Sequence, residues 1–411
     1  MSRETEDKLA NQAEAAQRAT PGGAREEATP VRGDWRTLAS QAADRIFALP
    51  VLARALIGLG LAGVAAVVPF VIPYFSAIPQ YWMNIMSQVG IAALLALGLN
   101  VVVGFAGLLD LGYVAFFAVG AYTYALLSGA ARYSVLIEAQ NPKATALAQK
   151  IKPEWHIYFW LIFFAALLVA LVAGVVLGAP TLRLRGDYLA IVTLGFGEIV
   201  RVTANNLHSI VGGPRGVFNL PHPVIAGYDF GLQNNPYYWL LLGIIVVWVF
   251  LLVRLNHSRV GRAWAAIRED ELAAAAMGVP TVRMKLWAFA IGAVVASFGG
   301  VVYASKYIFI DPNSFQLFGS TFASVTILAM VVVGGMGGIA GPILGAGVLV
   351  FLPELSRSVG DARFLVYGLI LVTVMLLRPQ GLIPSRRRAA ELKGGEVREG
   401  SVFEVQEHGG A

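Results

Sequence analysis

Apolar runs of about 20 residues recur along this sequence and constrain its fold more than any other feature. A helix that rises 1.5 Å per residue crosses the roughly 30 Å apolar core of a bilayer in about that length. Charged residues form only 14% of the sequence, against about 25% in a typical soluble domain. A soluble chain would need more charge to cover its surface, so the sequence predicts an all-α polytopic membrane protein.

The apolar runs predict about ten transmembrane helices. The fifth range and the last three are short or rich in glycine, so eight or nine spans remain possible if one such segment is re-entrant. The predicted ranges are 53–73, 83–103, 112–129, 156–178, 187–206, 237–254, 286–306, 319–334, 339–355 and 362–378.

Lysine and arginine beside the spans indicate their orientation, because cytoplasmic loops carry an excess of both residues. Ten spans with both termini inside place every main basic cluster in the cytoplasm. The loop 130–155 then lies outside, although it carries basic residues of its own. The clusters are Arg45 with Arg54, Arg183 with Arg185, the stretch from Arg254 to Lys285, and residues 386–388.

Composition divides the chain into three segments. Residues 1–45 contain few large apolar side chains, so we expect a disordered cytoplasmic N-terminal segment. Residues 46–385 form the predicted transmembrane domain, which includes a cytoplasmic loop at 254–285. Residues 386–411 form a predicted cytoplasmic C-terminal tail.

Several kinds of function are disfavoured by the sequence. Cysteine is absent, which excludes disulfides and thiolate chemistry, and the five histidines are scattered, so we expect no metal site. The sequence contains no GxxxxGK[ST] phosphate loop and no catalytic constellation, so we expect no ATPase or other enzyme site on this chain. We read the net charge of +6 as a sign of membrane topology and expect no nucleic-acid partner.

A glycine-rich stretch interrupts the apolar pattern between the second and third spans. It contains Gly104, Gly107 and Gly112, with Asp110 inside the break. Backbone that leaves a helix at membrane depth must be buried in protein or line a wet cavity, and broken helices often form transport pathways. The alternative is a tight cytoplasmic turn in which Asp110 caps the next helix.

A second glycine-rich stretch repeats the first. The sequence VVVG at 101–104, followed by Gly107, recurs at 331–334, where Gly334 is followed by Gly337. Transporters are often built from duplicated halves, so both stretches are candidates for a pathway. Valine and glycine are common in membrane helices, which leaves chance as the alternative.

Glu198 and Arg201 are two charged residues inside the fifth predicted span. Their i,i+3 spacing puts both side chains on one helix face, where they can pair. Charges are costly in lipid, so the pair should face protein or water. It is either a polar lining of a pathway or a structural ion pair at a helix or subunit contact.

The loop from Leu255 to Lys285 is the longest hydrophilic connection between spans. Its centre, Ala263 to Met277, is rich in alanine and predicts a helix that ends at Gly278. Such a helix suits a groove in a partner; the alternative is a helix on the lipid headgroups, which the acidic run disfavours. Its predicted apolar side consists of Trp264, Ile267, Leu272, Ala275 and Met277, and its charged side of Arg268, Glu269, Asp270 and Glu271.

Five blocks, in order, resemble the membrane permease subunit of bacterial ABC importers for branched-chain amino acids, and most of all the longer of the two permeases in such systems. The resemblance covers residues of about 85 to 385, which is most of the predicted folded chain. The blocks are GLNVVVGFAGLLDLGYVAFFAVGAYTYALLS from Gly98, LRLRGDYLAIVTLGFGEIVR from Leu182, GGPRGV from Gly212, AIREDELAAAAMGVP from Ala266 and RPQGLIP from Arg378.

This resemblance implies that the loop helix is a coupling helix, which sits in a cleft of a cytosolic ATPase subunit. Such permeases carry a loop pattern of Glu-Ala-Ala, three residues, then Gly. Ala273, Ala274 and Gly278 keep this spacing. Leu272 stands where the glutamate would be and Glu271 lies one position earlier, which leaves open which acid faces the ATPase.

The resemblance also implies a mechanism and partners. A periplasmic binding protein would deliver leucine, isoleucine or valine, and a second permease would complete the pathway in the bacterial inner membrane. Two cytosolic ATPase subunits would bind ATP and magnesium and drive alternating access, while this chain binds no cofactor. The rivals are a related importer for urea or short amides and an ATP-independent carrier or channel.

Overall fold

A computed structural model describes residues 60, 63, 65–71, 78–131, 159–181, 184, 186–225, 227–355 and 381–383, with isolated positions between 365 and 376. Helices dominate these residues, as the sequence predicted. The helices are α1 (Pro79–Asn100), α2 (Val114–Leu127), α3 (Phe159–Thr181), α4 (Asp187–Asn206), α5 (His208–Val211), α6 (Asn234–Asn256), α7 (Arg259–Glu269), α8 (Glu271–Ala276), α9 (Thr281–Tyr307), α10 (Ser324–Gly334) and α11 (Ala340–Leu355).

Short elements complete the described fold. A π-helical turn, Val101–Phe105, continues α1, and 3₁₀ turns occupy Gly213–Arg215 and Pro312–Phe315. Strand β1 (Val217–Phe218) pairs antiparallel with β4 (Phe309–Ile310), and β2 (Val224–Ile225) pairs with β3 (Tyr228–Asp229).

In the part of the chain that the structure describes, four helices are long and apolar enough to cross a membrane. They are Pro79–Phe105, Phe159–Pro180, Asn234–Asn256 and Thr281–Tyr307. Shorter apolar helices occupy Val114–Leu127, Ser324–Gly334 and Ala340–Leu355, and α4 lies at the fifth predicted span.

The total of ten spans stays a prediction. Most of the predicted spans 53–73 and 362–378 fall outside the described residues. So do the N-terminal segment 1–45, the tail 386–411 and the predicted outer loop beyond Ala131.

Helices α1 and α9 form the centre of the packed core. Residues 91–100 of α1 and 292–302 of α9 are almost all buried. By contrast, α3 and α6 expose large apolar side chains such as Phe164 and Phe250. Apolar exposure on this scale is unusual in a soluble protein and fits contact with lipid.

Small residues allow the central helices to approach closely, as is common in membranes. A Cβ atom at Gly120 of α2 would lie 2.3 Å from the carbonyl oxygen of Ser297 in α9. A Cβ at Gly300 would lie 2.2 Å from the carbonyl oxygen of Phe117. The contact between α2 and α9 therefore depends on glycine from both helices.

The bundle has two distinguishable ends. At one end, which we call the loop end, Asn100 of α1, Arg268 of α7 and the segment after α10 meet. At the other, the strand end, Tyr237 of α6 donates a hydrogen bond to the carbonyl oxygen of Ser305 in α9. The β1–β4 pair lies at the strand end, directly after α9.

Replacing Gly120 with alanine should lower the stability of the protein by about 1–3 kcal/mol, because the new methyl group overpacks the α2–α9 contact. The matched control is Gly243→Ala in α6, where a Cβ atom would have no neighbour within 4 Å. That control should be neutral or slightly stabilising, because alanine favours helices over glycine. Thermal unfolding in detergent measures both; equal melting temperatures would contradict the close-packing argument.

Candidate functional site

The two glycine-rich stretches meet at the loop end through one side chain. Asn100 is fully buried, and its Nδ2 donates to the carbonyl oxygen of Gly338 at 2.7 Å. Its Oδ1 accepts a hydrogen bond from the backbone N–H of Gly337 at 3.0 Å. The structure therefore brings together two regions that the sequence linked only as a repeat.

Gly104 lies against both Asn100 and Gly337 and has no room for a side chain. A Cβ atom there would lie 2.0 Å from Oδ1 of Asn100 and 2.7 Å from the nitrogen of Gly337. Gly334 has equally little space, because a Cβ atom there would lie 2.0 Å from the carbonyl oxygen of Gly341. Glycine in both repeats is thus required by close backbone approach.

The first break begins with a change of helix type. The π-helical turn Val101–Phe105 ends α1, and Gly107 follows with φ at +72°. Such π-helical turns occur frequently at functional sites, and a positive φ favours glycine. The chain resumes as α2 only at Val114.

Arg268 of the predicted coupling loop lies directly on this break. Its Nη1 donates a hydrogen bond of 2.7 Å to the carbonyl oxygen of Gly104, a backbone group that the broken helix leaves available. A Cβ atom at Gly107 would lie 2.8 Å from Cγ of Arg268. The loop and the first break therefore share one contact surface.

The loop contains two helices where the sequence predicted one from Ala263 to Met277. Asp270 has an extended backbone, which ends α7 at Glu269. Its Oδ1 accepts hydrogen bonds from the N–H groups of Leu272 (2.8 Å) and Ala273 (3.0 Å). Asp270 is therefore the N-cap of α8, a role that aspartate commonly fills and that alanine content does not reveal.

The predicted apolar side of the loop divides into an inward and an outward part. Trp264 and Ile267 are buried, and Trp264 Nε1 donates to the carbonyl oxygen of Met284 at 2.7 Å. Leu272 and Met277 are instead 64% and 85% exposed. The prediction that these residues form one apolar side is wrong, because Asp270 interrupts the helix between Ile267 and Leu272.

The charged residues of the loop also divide. Glu271 forms an ion pair with the buried Lys285, with Oε1 and Nζ 2.6 Å apart, which ties α8 to the start of α9. Glu269 and Asp270 are exposed beside Leu272. Of the remaining predicted coupling residues, Ala273 and Gly278 are exposed and Ala274 is buried.

Asp110 lies in the connection between α1 and α2 and is only 2% exposed. Its Oδ1 accepts a hydrogen bond of 2.9 Å from the N–H of Gly112. The alternative in which it caps α2 is wrong, because α2 begins at Val114 without a side-chain cap. Burial raises the pKa of Asp110 to about 7.

Gly112 and Thr193 complete the surroundings of Asp110. The Thr193 hydroxyl accepts from the N–H of Leu111 at 3.1 Å, and a Cβ at Gly112 would lie 1.9 Å from the Thr193 carbonyl oxygen. Oδ2 of Asp110 has no hydrogen-bond partner among the described residues. The first break is thus held against α4 as well as against α7.

Glu198 and Arg201 form an ion pair on α4. Nε of Arg201 lies 2.9 and 3.1 Å from the two carboxylate oxygens of Glu198, and an Nη2 contact adds to the pair. The side chain of Glu198 is 40% exposed and that of Arg201 is 25% exposed. Within the described residues, no hydrogen bond joins this pair to the glycine cluster at the loop end.

Sequence reasoning missed Asn100 and Lys285, and it did not predict where the block that begins at Arg378 makes contact. The N–H groups of Leu382 and Ile383 donate to the carbonyl oxygens of Val333 (2.8 Å) and Gly334 (2.9 Å), so residues 381–383 bind the end of α10. A signal for Asn100 was present, because a polar residue inside an apolar span is costly and often functional.

The family model that matches this chain and two of the proteins similar to it all belong to branched-chain amino acid transport permeases. The family described as the permease component of branched-chain amino acid transport systems matches residues 81–377. The "High-affinity branched-chain amino acid transport system permease protein LivM" of Escherichia coli K12 is 40% identical, over 77% of this chain and 73% of that protein. Its Salmonella typhimurium counterpart is 39% identical over the same shares.

A second kind of relative is more distant. The permease protein LivH of the high-affinity branched-chain amino acid transport system of Salmonella typhimurium is 23% identical, over 71% of this chain and 90% of that protein. No solved structure gives a significant match.

Replacing Asp110 with asparagine should raise the melting temperature at pH 8. The raised pKa means that the folded protein binds this proton more tightly than the unfolded chain, so ionisation costs folding free energy as the pH rises from about 4 to about 7. Asparagine keeps an acceptor for Gly112 and carries no charge. Melting curves from pH 5 to 8 should show that the variant melts at a higher temperature than the wild type, by a margin that shrinks as the pH falls. A margin that does not change with pH would contradict the raised pKa of Asp110.

Proposed function

Because the chain belongs to the family of branched-chain amino acid transport permeases, we propose that it is the membrane subunit of an ATP-driven importer whose α7–α8 loop transmits ATPase movement to the transport pathway. The chain is a multi-pass permease component of a branched-chain amino acid transport system. The ATP dependence, the partners and the bacterial inner membrane are the proposed part.

The hydrogen bond from Arg268 to Gly104 is the observation that carries this proposal. A displacement of α7 would act on the carbonyl group of Gly104 and on the backbone at Gly107. Asn100 would pass the displacement to Gly337, because it binds the second break directly. A driving subunit changes the balance between two states only if its contacts differ between them. The contacts from Arg268 to Gly104 and from Asn100 to Gly337 are the ones that we propose to differ.

The exposed side of α8 suits a cytosolic ATPase subunit. Leu272 and Met277 present apolar surface beside the acidic residues Glu269 and Asp270. A short helix with exposed apolar anchors commonly binds in a groove of its partner. We propose that this side docks on the ATPase, and that the Glu271–Lys285 ion pair keeps α8 attached to this chain.

A second permease would complete the pathway. The chain is similar to both LivM and LivH of Salmonella typhimurium, whose names place two permease proteins in the same transport system. The partly exposed ion pair of Glu198 and Arg201 supports a protein or water contact for that side of α4, since charges in contact with lipid are costly.

Two further elements follow from the same proposal. A periplasmic binding protein would dock at the strand end, opposite the ATPase, and ATP with magnesium would bind only to the partner subunits. The relatives favour branched-chain amino acids over urea or short amides, because both LivM proteins are named for that substrate class.

The test is to purify the tagged chain with its partners, reconstitute the assembly in vesicles and measure ATP-dependent leucine uptake. Leu272→Asp should lower uptake more than tenfold and release the ATPase subunits, because a buried charge disfavours docking. Leu272→Met, which keeps an apolar side chain at the same exposed position, is the matched control and should behave as wild type. Uptake by the wild-type chain alone, without ATP, would instead indicate a carrier.

Gly107→Ala should uncouple transport from ATP hydrolysis. The added methyl group would displace Arg268 from the break, so leucine uptake should fall at least tenfold while ATPase activity remains. Gly129→Ala is a matched control, because Gly129 also has a positive φ but a Cβ there meets no atom within 4 Å. Equal uptake in the two variants would remove the Arg268 contact from the coupling route.

A further inference from the structure

An open cavity of about 400 Å³ lies at the strand end of the bundle. It is bounded by α1, the last turn of α9, the 3₁₀ turn Pro312–Phe315 and the residues that lead into α10. Its volume falls within the range of roughly 300–1,000 Å³ that is typical of small-molecule sites. None of the glycine-rich breaks contributes to its lining.

One side of the cavity is polar. Oδ1 of Asp311 accepts hydrogen bonds from the N–H (3.0 Å) and the hydroxyl of Ser314, which caps the 3₁₀ turn. Both of these hydrogen bonds use Oδ1 and neither uses Oδ2. The carboxylate therefore has capacity for an ammonium group in the cavity.

Ser320 supplies a second polar group. Ser320 lines the cavity, and its Oγ is buried and has no hydrogen-bond partner among the residues described. Buried polar atoms in proteins are nearly always hydrogen-bonded, so an atom of this kind beside a cavity indicates a ligand or water. Thr321 also lines the cavity, and its side chain carries a hydroxyl that can donate to a carboxylate.

Aromatic rings form another wall of the cavity. The ring of Tyr303 lies 4.8 Å from that of Tyr307 and 5.6 Å from that of Phe322, measured between centroids. Phe117 packs behind this wall, 5.3 Å from Tyr303 and 5.9 Å from Phe322. Rings packed in this way give a firm apolar surface for a branched aliphatic group.

We propose that this cavity is a receiving site for a zwitterionic amino acid with an apolar side chain. Asp311 binds the α-ammonium group, the hydroxyls of Ser320 and Thr321 donate to the α-carboxylate, and the aromatic wall contacts the side chain. The inference rests on the proposed function and adds a location for the substrate at the strand end. The site accepts the amino acid before it reaches the glycine-rich breaks at the loop end.

Asp311→Asn tests the polar half of the site in the reconstituted importer. Asparagine can still cap the Ser314 N–H, so the 3₁₀ turn keeps its hydrogen bond while the negative charge is lost. Leucine uptake at low substrate concentration should fall about tenfold, with normal assembly and basal ATP hydrolysis. Asp229→Asn is the matched control, because Asp229 caps an exposed turn at the same end and does not line the cavity.

The outcomes separate this inference from the proposed function. Wild-type uptake in the Asp311→Asn variant would overturn the receiving site and leave the transport function intact. Absence of ATP-dependent leucine uptake by the wild-type assembly would overturn the proposed function itself.

Phe322→Ala tests the aromatic wall through substrate preference. Leucine has one more methylene group than valine, so losing the ring should lower the ratio of leucine to valine uptake by about threefold. Both substrates are measured on the same preparation, which makes the ratio independent of how much of the variant assembles. An unchanged ratio in a variant that still transports would exclude the wall from contact with the substrate side chain.

Discussion

Asn100 lies in an apolar span and is fully buried. Both the NH2 group and the oxygen of its side-chain amide form hydrogen bonds with the backbone of the second break, at Gly338 and Gly337. A backbone that leaves a helix inside an apolar bundle must find other hydrogen-bond partners, since unpaired polar groups there cost several kcal/mol. Asn100 supplies partners at Gly337 and Gly338, and Arg268 supplies one at Gly104. These side chains satisfy backbone groups that the two breaks would otherwise leave unpaired inside the packed bundle.

The same requirement explains why the loop at 255–285 is part of the packed protein. Trp264 and the Glu271–Lys285 pair fasten its two helices to α9, and Arg268 fastens α7 to the first break. Only α8 keeps an exposed apolar side, at Leu272 and Met277. These contacts connect the loop to the breaks, and the coupling role that we propose for it requires such a connection.

The two ends of the bundle differ in chemistry. The loop end is dense, and its glycines allow backbone atoms to approach closely enough that no side chain fits at Gly104. The strand end contains an open cavity with a carboxylate, hydroxyls and aromatic rings. The proposed importer needs a substrate site on one side and a constriction on the other, and these two ends are the surfaces to which we assign the two roles.

The sequence by itself determined the helical membrane class, the approximate spans at α1, α3, α6 and α9, and the family, because apolar periodicity and local blocks are written along the chain. It also indicated the importance of the glycine-rich repeats and of the loop. Only the tertiary structure decided that Asn100 joins the repeats, that Asp270 divides the loop helix, and that Leu272 is exposed whereas Trp264 is buried. These features depend on contacts between residues far apart in sequence, and on a capping hydrogen bond that overrides helix propensity, so local pattern could not reveal them.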